Sequence, residues 1–225
     1  MKHASYLLIF CVFFVVASSY AQTAKLGKYE LVAVHSYASN ETLMNEPVIK
    51  VIKDSSIVKV DEPTFARVKN IRFSNGIIEV KVLSRLLKTA PDYARGFIGV
   101  AFRINDSNTK YESIYVRPVN ARVNDQVRRN HSIQYYSYPN YKFDTLRKIA
   151  PEKYESYADM EMNKWIDVKI VVKDSTAKLF INKNEQPSLV INDLKLGADV
   201  SGAVALWVEV GTEGYFRDLK ITKQD

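Results

Sequence analysis

Between Gly96 and Pro139 the chain reads GFIGVAFRINDSNTKYESIYVRPVNARVNDQVRRNHSIQYYSYP, with apolar side chains at every second position of its regular runs. A period of two fits a strand and not an amphipathic helix, whose apolar positions recur about every 3.6 residues. In Tyr111 to Arg117 the alternation puts Glu112, Ile114 and Val116 on one side and Tyr111, Ser113, Tyr115 and Arg117 on the other. A core accounts for Ile114 and Val116. A row of phenol, hydroxyl and guanidinium groups suits sugar rings and carboxylates, because aromatic faces stack and Arg makes bidentate hydrogen bonds.

The same rhythm extends in both directions. Tyr29 to Tyr37 alternates as a first strand, Val48 to Ile52 and Ile57 to Val60 flank a turn-like Lys53-Asp54-Ser55-Ser56 as a hairpin, and Phe65 to Val68 is a short strand. Gly76 to Leu83 turns Ile78, Val80 and Val82 inward. Gly96 to Ile104 puts Ile98, Val100, Phe102 and Ile104 on one face, with Phe97, Gly99, Ala101 and Arg103 on the other. Further on, Ile166 to Val172 and Ala177 to Ile181 form a hairpin. Ser201 to Val210 places Ala203, Ala205, Trp207 and Glu209 opposite an apolar row, so small residues followed by Trp predict a groove with a stacking platform. Only 139–163, punctuated by Pro139 and Pro151, breaks the pattern and predicts a long loop or short helix crossing the sheet.

About a dozen short strands with little helix predict an all-β, two-sheet antiparallel jelly-roll sandwich. No linker divides the chain of 225 residues, so 22–225 is expected to be a single domain. Residues 1–21 stand apart as a secretory signal peptide: Lys2 and His3, an apolar run from Tyr6 to Val16, then small residues up to Ala21, with the mature chain starting near Gln22. That run, about 11 residues, is too short for a membrane span of roughly 20. The chain's one cysteine, Cys11, would leave with it, so the secreted or periplasmic protein is expected to have neither disulfide nor thiol.

The net charge is +7, and it falls by one unit without Lys2. Acidic partners are favoured. A nucleic acid is not expected, because the chain lacks a Lys-rich run, a helix-turn-helix pattern and zinc-ligand spacing. An acidic glycan fits an exported protein better.

The order GFIGVAFRI, KYESIYVRP, KWIDVKIVV, AKLFIN, GAVALWVEVG and GYFRDLKIT resembles the concanavalin A-like lectin and glucanase superfamily over roughly Tyr29 to Thr222, and is similar to bacterial 3-keto-disaccharide hydrolase-like and laminin-G-like domains. The resemblance implies glycan binding or cleavage on the concave sheet. The Glu-x-Asp-x-x-Glu phrase of the superfamily's glucanases is missing, and glycoside hydrolysis ordinarily needs two facing carboxyl groups.

What the predicted face holds instead is basic and phenolic, which suits β-elimination on a uronate. Arg neutralises the sugar carboxylate, His or Tyr removes the C5 proton, and a Tyr protonates the leaving oxygen. The expected catalytic residues are His131, Tyr135 and Tyr136, and the expected substrate contacts are Arg103, Tyr111, Tyr115, Arg117, Arg122, Gln134, Trp207 and Glu209. If Ile133 points inward, Gln134, Tyr136 and Tyr138 face the groove with His131 at its rim; a bulge would exchange the sets. The scheme calls for no metal or cofactor. A departing sugar would make the enzyme a polysaccharide lyase, and a departing hydroxyl an oligosaccharide dehydratase. A non-catalytic carbohydrate-binding module and a glycoside or keto-sugar hydrolase stay open beside it.

Overall fold

In the computed structural model, which describes residues 23–224, the alternating runs pair into two antiparallel sheets packed as a sandwich. The signal-peptide expectation for 1–21 and Cys11 lie outside the described residues. In chain order the strands are β1 (Thr23–Leu26), β2 (Tyr29–Val34), β3 (Ser36–Leu43), β4 (Glu46–Lys53), β5 (Phe65–Val68), β6 (Asn75–Leu86), β7 (Ile98–Ile104) and β8 (Tyr111–Val116). Two short helices follow, α1 (Pro118–Ala121) and α2 (Gln126–Asn130), then β9 (Ile133–Tyr138), α3 (Phe143–Ile149) and β10 (Glu155–Ser156). The chain closes with β11 (Ile166–Lys173), β12 (Thr176–Ile181), β13 (Leu189–Ile191), β14 (Ala203–Val208) and β15 (Thr212–Gln224).

One sheet runs β1-β2-β5-β14-β7-β8-β9-β10, the other β13-β12-β11-β6-β15-β4-β3. For brevity they are sheets A and B. In sheet B, Ile78, Val80 and Val82 of β6 and Ile166, Val168, Ile170 and Val172 of β11 are buried while the residues between them are partly or fully exposed, as one-sided packing requires. The centre of sheet A differs. Every residue of β7, β8 and β14 is buried, so both of its faces are covered.

Two expected elements are corrected. The run from Tyr29 to Tyr37 is not one strand: His35 takes a left-handed backbone (φ 44°) and accepts the Asp54 N–H at 3.0 Å, passing the chain from β2 in sheet A to β3 in sheet B. Ile57 to Val60 does not pair with Val48 to Ile52, which pairs with β3 and β15 instead. The turn-like residues after Lys53 open a non-strand segment, 54–64, that lies over the outer face of sheet A and hydrogen-bonds to it. The 139–163 excursion does contain a short helix, α3, and returns as β10 on the edge of sheet A.

Candidate functional site

The register of sheet A sets one row of outer-face side chains across five strands. Trp207 stands opposite Gly99, Gly99 opposite Tyr115, Tyr115 opposite Gln134 and Gln134 opposite Glu155. Glycine is required at position 99, since a Cβ there would overlap the Ile114 carbonyl and the Tyr115 backbone. The gap lets Tyr115 lean towards Trp207, with ring centres 4.8 Å apart.

Most of this row is roofed. Segment 54–64 receives a hydrogen bond from Trp207 Nε1 at the Glu62 carbonyl (3.1 Å), and the Tyr111 hydroxyl lies 3.4 Å from the Asp61 carbonyl. Tyr138 donates to the Glu62 carboxylate at 2.9 Å, and Lys142 pairs with the same carboxylate. Tyr111 and Tyr136 share a hydroxyl contact of 3.1 Å beneath the roof and, with Trp207, are fully buried. Burial drives both phenols well above their ordinary pKa. The expected open groove is therefore corrected: Tyr111, Tyr136 and Trp207 support the roof rather than present a platform.

Two other expectations are corrected by where the side chains point. Tyr135 lies on the face towards sheet B, where its hydroxyl donates to Glu112 at 2.7 Å and accepts the Lys195 N–H at 2.8 Å. It is removed from the outer face by the same alternation that puts Gln134 and Tyr136 there. Arg103 would face outward under strict alternation, but the β7–β14 register shifts between Ala101 and Ile104, and Arg103 has φ 54°. That bulge turns its guanidinium onto the carbonyls of Ser74 (3.0 Å), Gly197 (2.7 Å) and Asp174 (2.7 Å). Arg122 is surface-exposed and engaged bidentately by Asp159, with Glu161 alongside.

At one end the roof stops and leaves a pocket of about 250 Å³. Of the expected residues, Tyr115, Arg117, His131 and Glu209 line it together. Asp61, Tyr93, Arg95, Phe97, Phe143 and Arg147 complete most of the wall. Gln134 stands behind, accepting from Arg117 at 3.1 Å.

Arg117 already has an internal carboxylate. Its two terminal nitrogens donate to Glu155 (3.1 Å), the His131 carbonyl (2.9 Å), the Tyr115 hydroxyl (2.8 Å) and Gln134. Arg147 pairs with Glu155 from the other side, with Nε donating at 2.9 Å. Burial alone would raise the Glu155 carboxyl, but the Arg147 hydrogen bonds and the two guanidinium charges outweigh it and hold it below the ordinary value. His131, at the C-cap of α2, is 3.6 Å from Glu155. Burial lowers its pKa, and the Arg147 and Arg117 charges add to that against the opposing pull of Glu155, which favours neutral imidazole.

Arg95 differs from Arg117. Among the described residues its hydrogen bonds go to the backbone carbonyls of Asp92 and Ala94, and no carboxylate pairs with it. Burial and the nearby charges of Arg128 and Arg117 lower its pKa and outweigh the opposing charge of Asp92, so it is a cation only partly countered.

Across the pocket wall Glu209 pairs with Lys53, and its Oε2 accepts the Asp61 N–H at 2.8 Å. Burial raises Glu209 despite Lys53. It raises Asp61 further, to about 7, with the Glu209 charge adding to the effect and the Phe143 N–H opposing it. Asp61 and Arg95 were not singled out in the sequence. Neither falls in a strand, and both sit in loops where no periodicity marks the facing direction; a carboxyl inside Val60-Asp61-Glu62 looks like an ordinary surface turn. Among the described residues, no cluster of three or more His, Cys, Asp or Glu is placed to hold a metal.

No family model matches the chain, and no curated protein matches it in sequence. Solved structures similar to it include the carbohydrate-binding module CBM66 from Bacillus subtilis (10% identity, TM-score 0.54, covering 87% of this chain and 96% of that one). A glycosyl hydrolase candidate from Parabacteroides distasonis is similar at 11% identity and TM-score 0.51, covering 82% and 90%. A Bacillus subtilis protein of unknown function with a galectin-like fold follows at 9% identity and TM-score 0.50, covering 84% and 90%. At these identities the likeness is one of fold.

Proposed function

We propose that the protein binds the acidic end of a glycan in the pocket beside the roof, and that this sugar is the substrate of a β-elimination. The observation that carries the binding is Arg95, an under-neutralised guanidinium at the wall of a pocket whose other sides are Tyr93, Phe97, Tyr115 and Phe143. A sugar ring has apolar faces for the aromatic walls, and a uronate carboxylate supplies the charge that Arg95 lacks. The volume lies below the roughly 300–1,000 Å³ of pockets for drug-sized ligands, which favours a single terminal ring over an internal stretch of polymer. The similar structures support a sugar ligand: one is a carbohydrate-binding module and another has a galectin-like fold.

The elimination rests on His131, which faces the pocket as neutral imidazole and so suits removal of the C5 proton. In this reading the ligand carboxylate belongs to Arg95, because Arg117 is occupied by Glu155. Export is part of the proposal, with cleavage before Gln22 leaving one domain, 22–225; intact-mass analysis of exported protein would show that cut.

The binding test is calorimetric titration with galacturonate and glucuronate oligosaccharides against their neutral parents. Uronates should bind and neutral sugars should not, and Arg95→Ala should weaken uronate binding by about 1.5–3 kcal/mol. Equal affinity for neutral and acidic sugars would remove the charge-based reading.

A further inference from the structure

We propose that Asp61 is the proton donor of this site, delivering its proton to the oxygen that leaves C4 of the bound uronate while His131 takes the proton from C5. The inference rests on the elimination reading above and gives it an acid in place of the roofed Tyr136 and the inward Tyr135.

The geometry of Asp61 is that of a group fixed from three sides at the wall of the pocket. Its N–H is held by Glu209 at 2.8 Å, its carbonyl is 3.4 Å from the Tyr111 hydroxyl, and its Oδ2 accepts the Phe143 N–H at 3.0 Å. The backbone is left-handed at φ 52°, a conformation few non-glycine residues hold unless the surroundings enforce it. Oδ1 makes no hydrogen bond among the described residues and is not sealed from solvent, while Asp61 as a whole is 2% exposed at the pocket wall. In this proposal the transferable proton sits on Oδ1, the oxygen left free by the Phe143 N–H, in a residue that lines the pocket.

The electron count closes without a co-reactant. The C5–H bond breaks towards His131, its electron pair forms the C4=C5 double bond, and the C4–O bond breaks onto the oxygen, which takes the Asp61 proton. Arg95 offsets the negative charge that grows on the carboxylate side of C5. Imidazolium and carboxylate remain, and exchange with solvent restores both; nothing is oxidised or reduced.

The charges around each group set the pH response. Asp61 faces Glu209, Arg117 and Lys142; His131 faces Glu155, Arg147, Arg117 and Glu152. Turnover needs neutral His131 and protonated Asp61. It falls on the acid side as His131 gains a proton, and on the alkaline side as Asp61 loses one near pH 7.

The test follows ultraviolet absorbance of the unsaturated uronate released from two substrates: a uronate disaccharide, whose leaving sugar needs a proton, and a 4-O-nitrophenyl uronate, whose leaving group does not. Asp61→Asn should lose about 100-fold to 10,000-fold in turnover on the disaccharide and remain within about tenfold of wild type on the nitrophenyl substrate. In wild type the alkaline limb should appear with the disaccharide and vanish with the nitrophenyl compound, a measurement that does not depend on the variant folding. Full disaccharide rate in Asp61→Asn, or equal losses on both substrates, overturns Asp61 as the acid while leaving elimination intact. Uronate binding by wild type with no unsaturated product from either substrate overturns the elimination reading itself.

Discussion

The outer faces of the two sheets follow the same alternating rule and end differently. On sheet B, alternate residues of β11 and β12 face solvent, and Glu79, Lys81, Asp167, Lys169, Asp218 and Lys220 line a hollow of about 570 Å³. Its charges answer one another: Lys81 lies 3.6 Å from Asp218 and 4.0 Å from Asp167, and Lys220 lies 3.7 Å from Glu79. On sheet A the corresponding face carries Trp207, Tyr115, Tyr136 and Tyr111 under the roof of 54–64, with the pocket of about 250 Å³ at one end of that row and a separate hollow of about 460 Å³ beside Val32, Val34 and Arg67. The lesson is that size does not locate the site. The larger hollow is lined by as many acidic as Lys side chains, whereas the smaller pocket holds Arg95, which forms no ion pair among the described residues, and two carboxyl groups pushed towards neutrality by burial.

The largest effect should come from the roofed aromatics. Trp207→Ala removes a fully buried ring packed on Tyr115 and Tyr136 and takes away the indole hydrogen bond that ties the Glu62 carbonyl of the roof to sheet A. We expect a loss of about 3–5 kcal/mol in denaturant unfolding. A loss below about 1 kcal/mol would mean that the roof lifts readily and that the face is an open groove after all, which would restore the platform role read from the sequence.

The next effect is a pH dependence confined to sheet A. Folding raises Asp61 from 3.8 to about 7, so between those values the folded state holds more protons than the unfolded one. Stability then falls as pH rises through that window and levels off above it. At about 1.4 kcal/mol per unit, the contribution is on the order of 4 kcal/mol. Asp61→Asn should be level with wild type near pH 4 and more stable by that amount near pH 8, as chemical denaturation at each pH would show. A difference that does not vary with pH would sharpen the comparison the other way, by placing the Asp61 carboxyl in water like those of sheet B.

How far the chain could be read from its sequence follows from the same contrast. The sandwich was legible because Ile78 to Val82 and Ile166 to Val172 must hide one face, and a period of two has no other reading at that length. The outer-face row was legible too, since Tyr115, Gln134 and Trp207 share it as alternation requires. Alternation could not report the bulge that turns Arg103 away, because an extra residue is set by pairing with β14 and not by the local sequence. Nor could it show that 54–64 crosses the face, since a roof is a tertiary contact. Tyr135 was an error of a different kind: its neighbours Gln134 and Tyr136 face outward, and adjacent strand residues cannot share a face.

The smallest effect should be on sheet B, and it tests whether that face is a solvated surface. Lys81 has side-chain exposure of 33%, and its acidic partners Asp167 and Asp218 are 35% and 61% exposed. Water and salt screen such pairs, and Asp167 and Asp218 remain hydrated when the ammonium is removed. Lys81→Ala should therefore change stability by less than about 0.5 kcal/mol and leave uronate affinity unchanged in the calorimetric titration. The alternative has a distinct signature: if acidic sugars used this hollow, Lys81→Ala would weaken their binding while Arg95→Ala would not. That result would move the site to sheet B and leave the pocket of sheet A as the place where two buried carboxyl groups and a roof are merely held together.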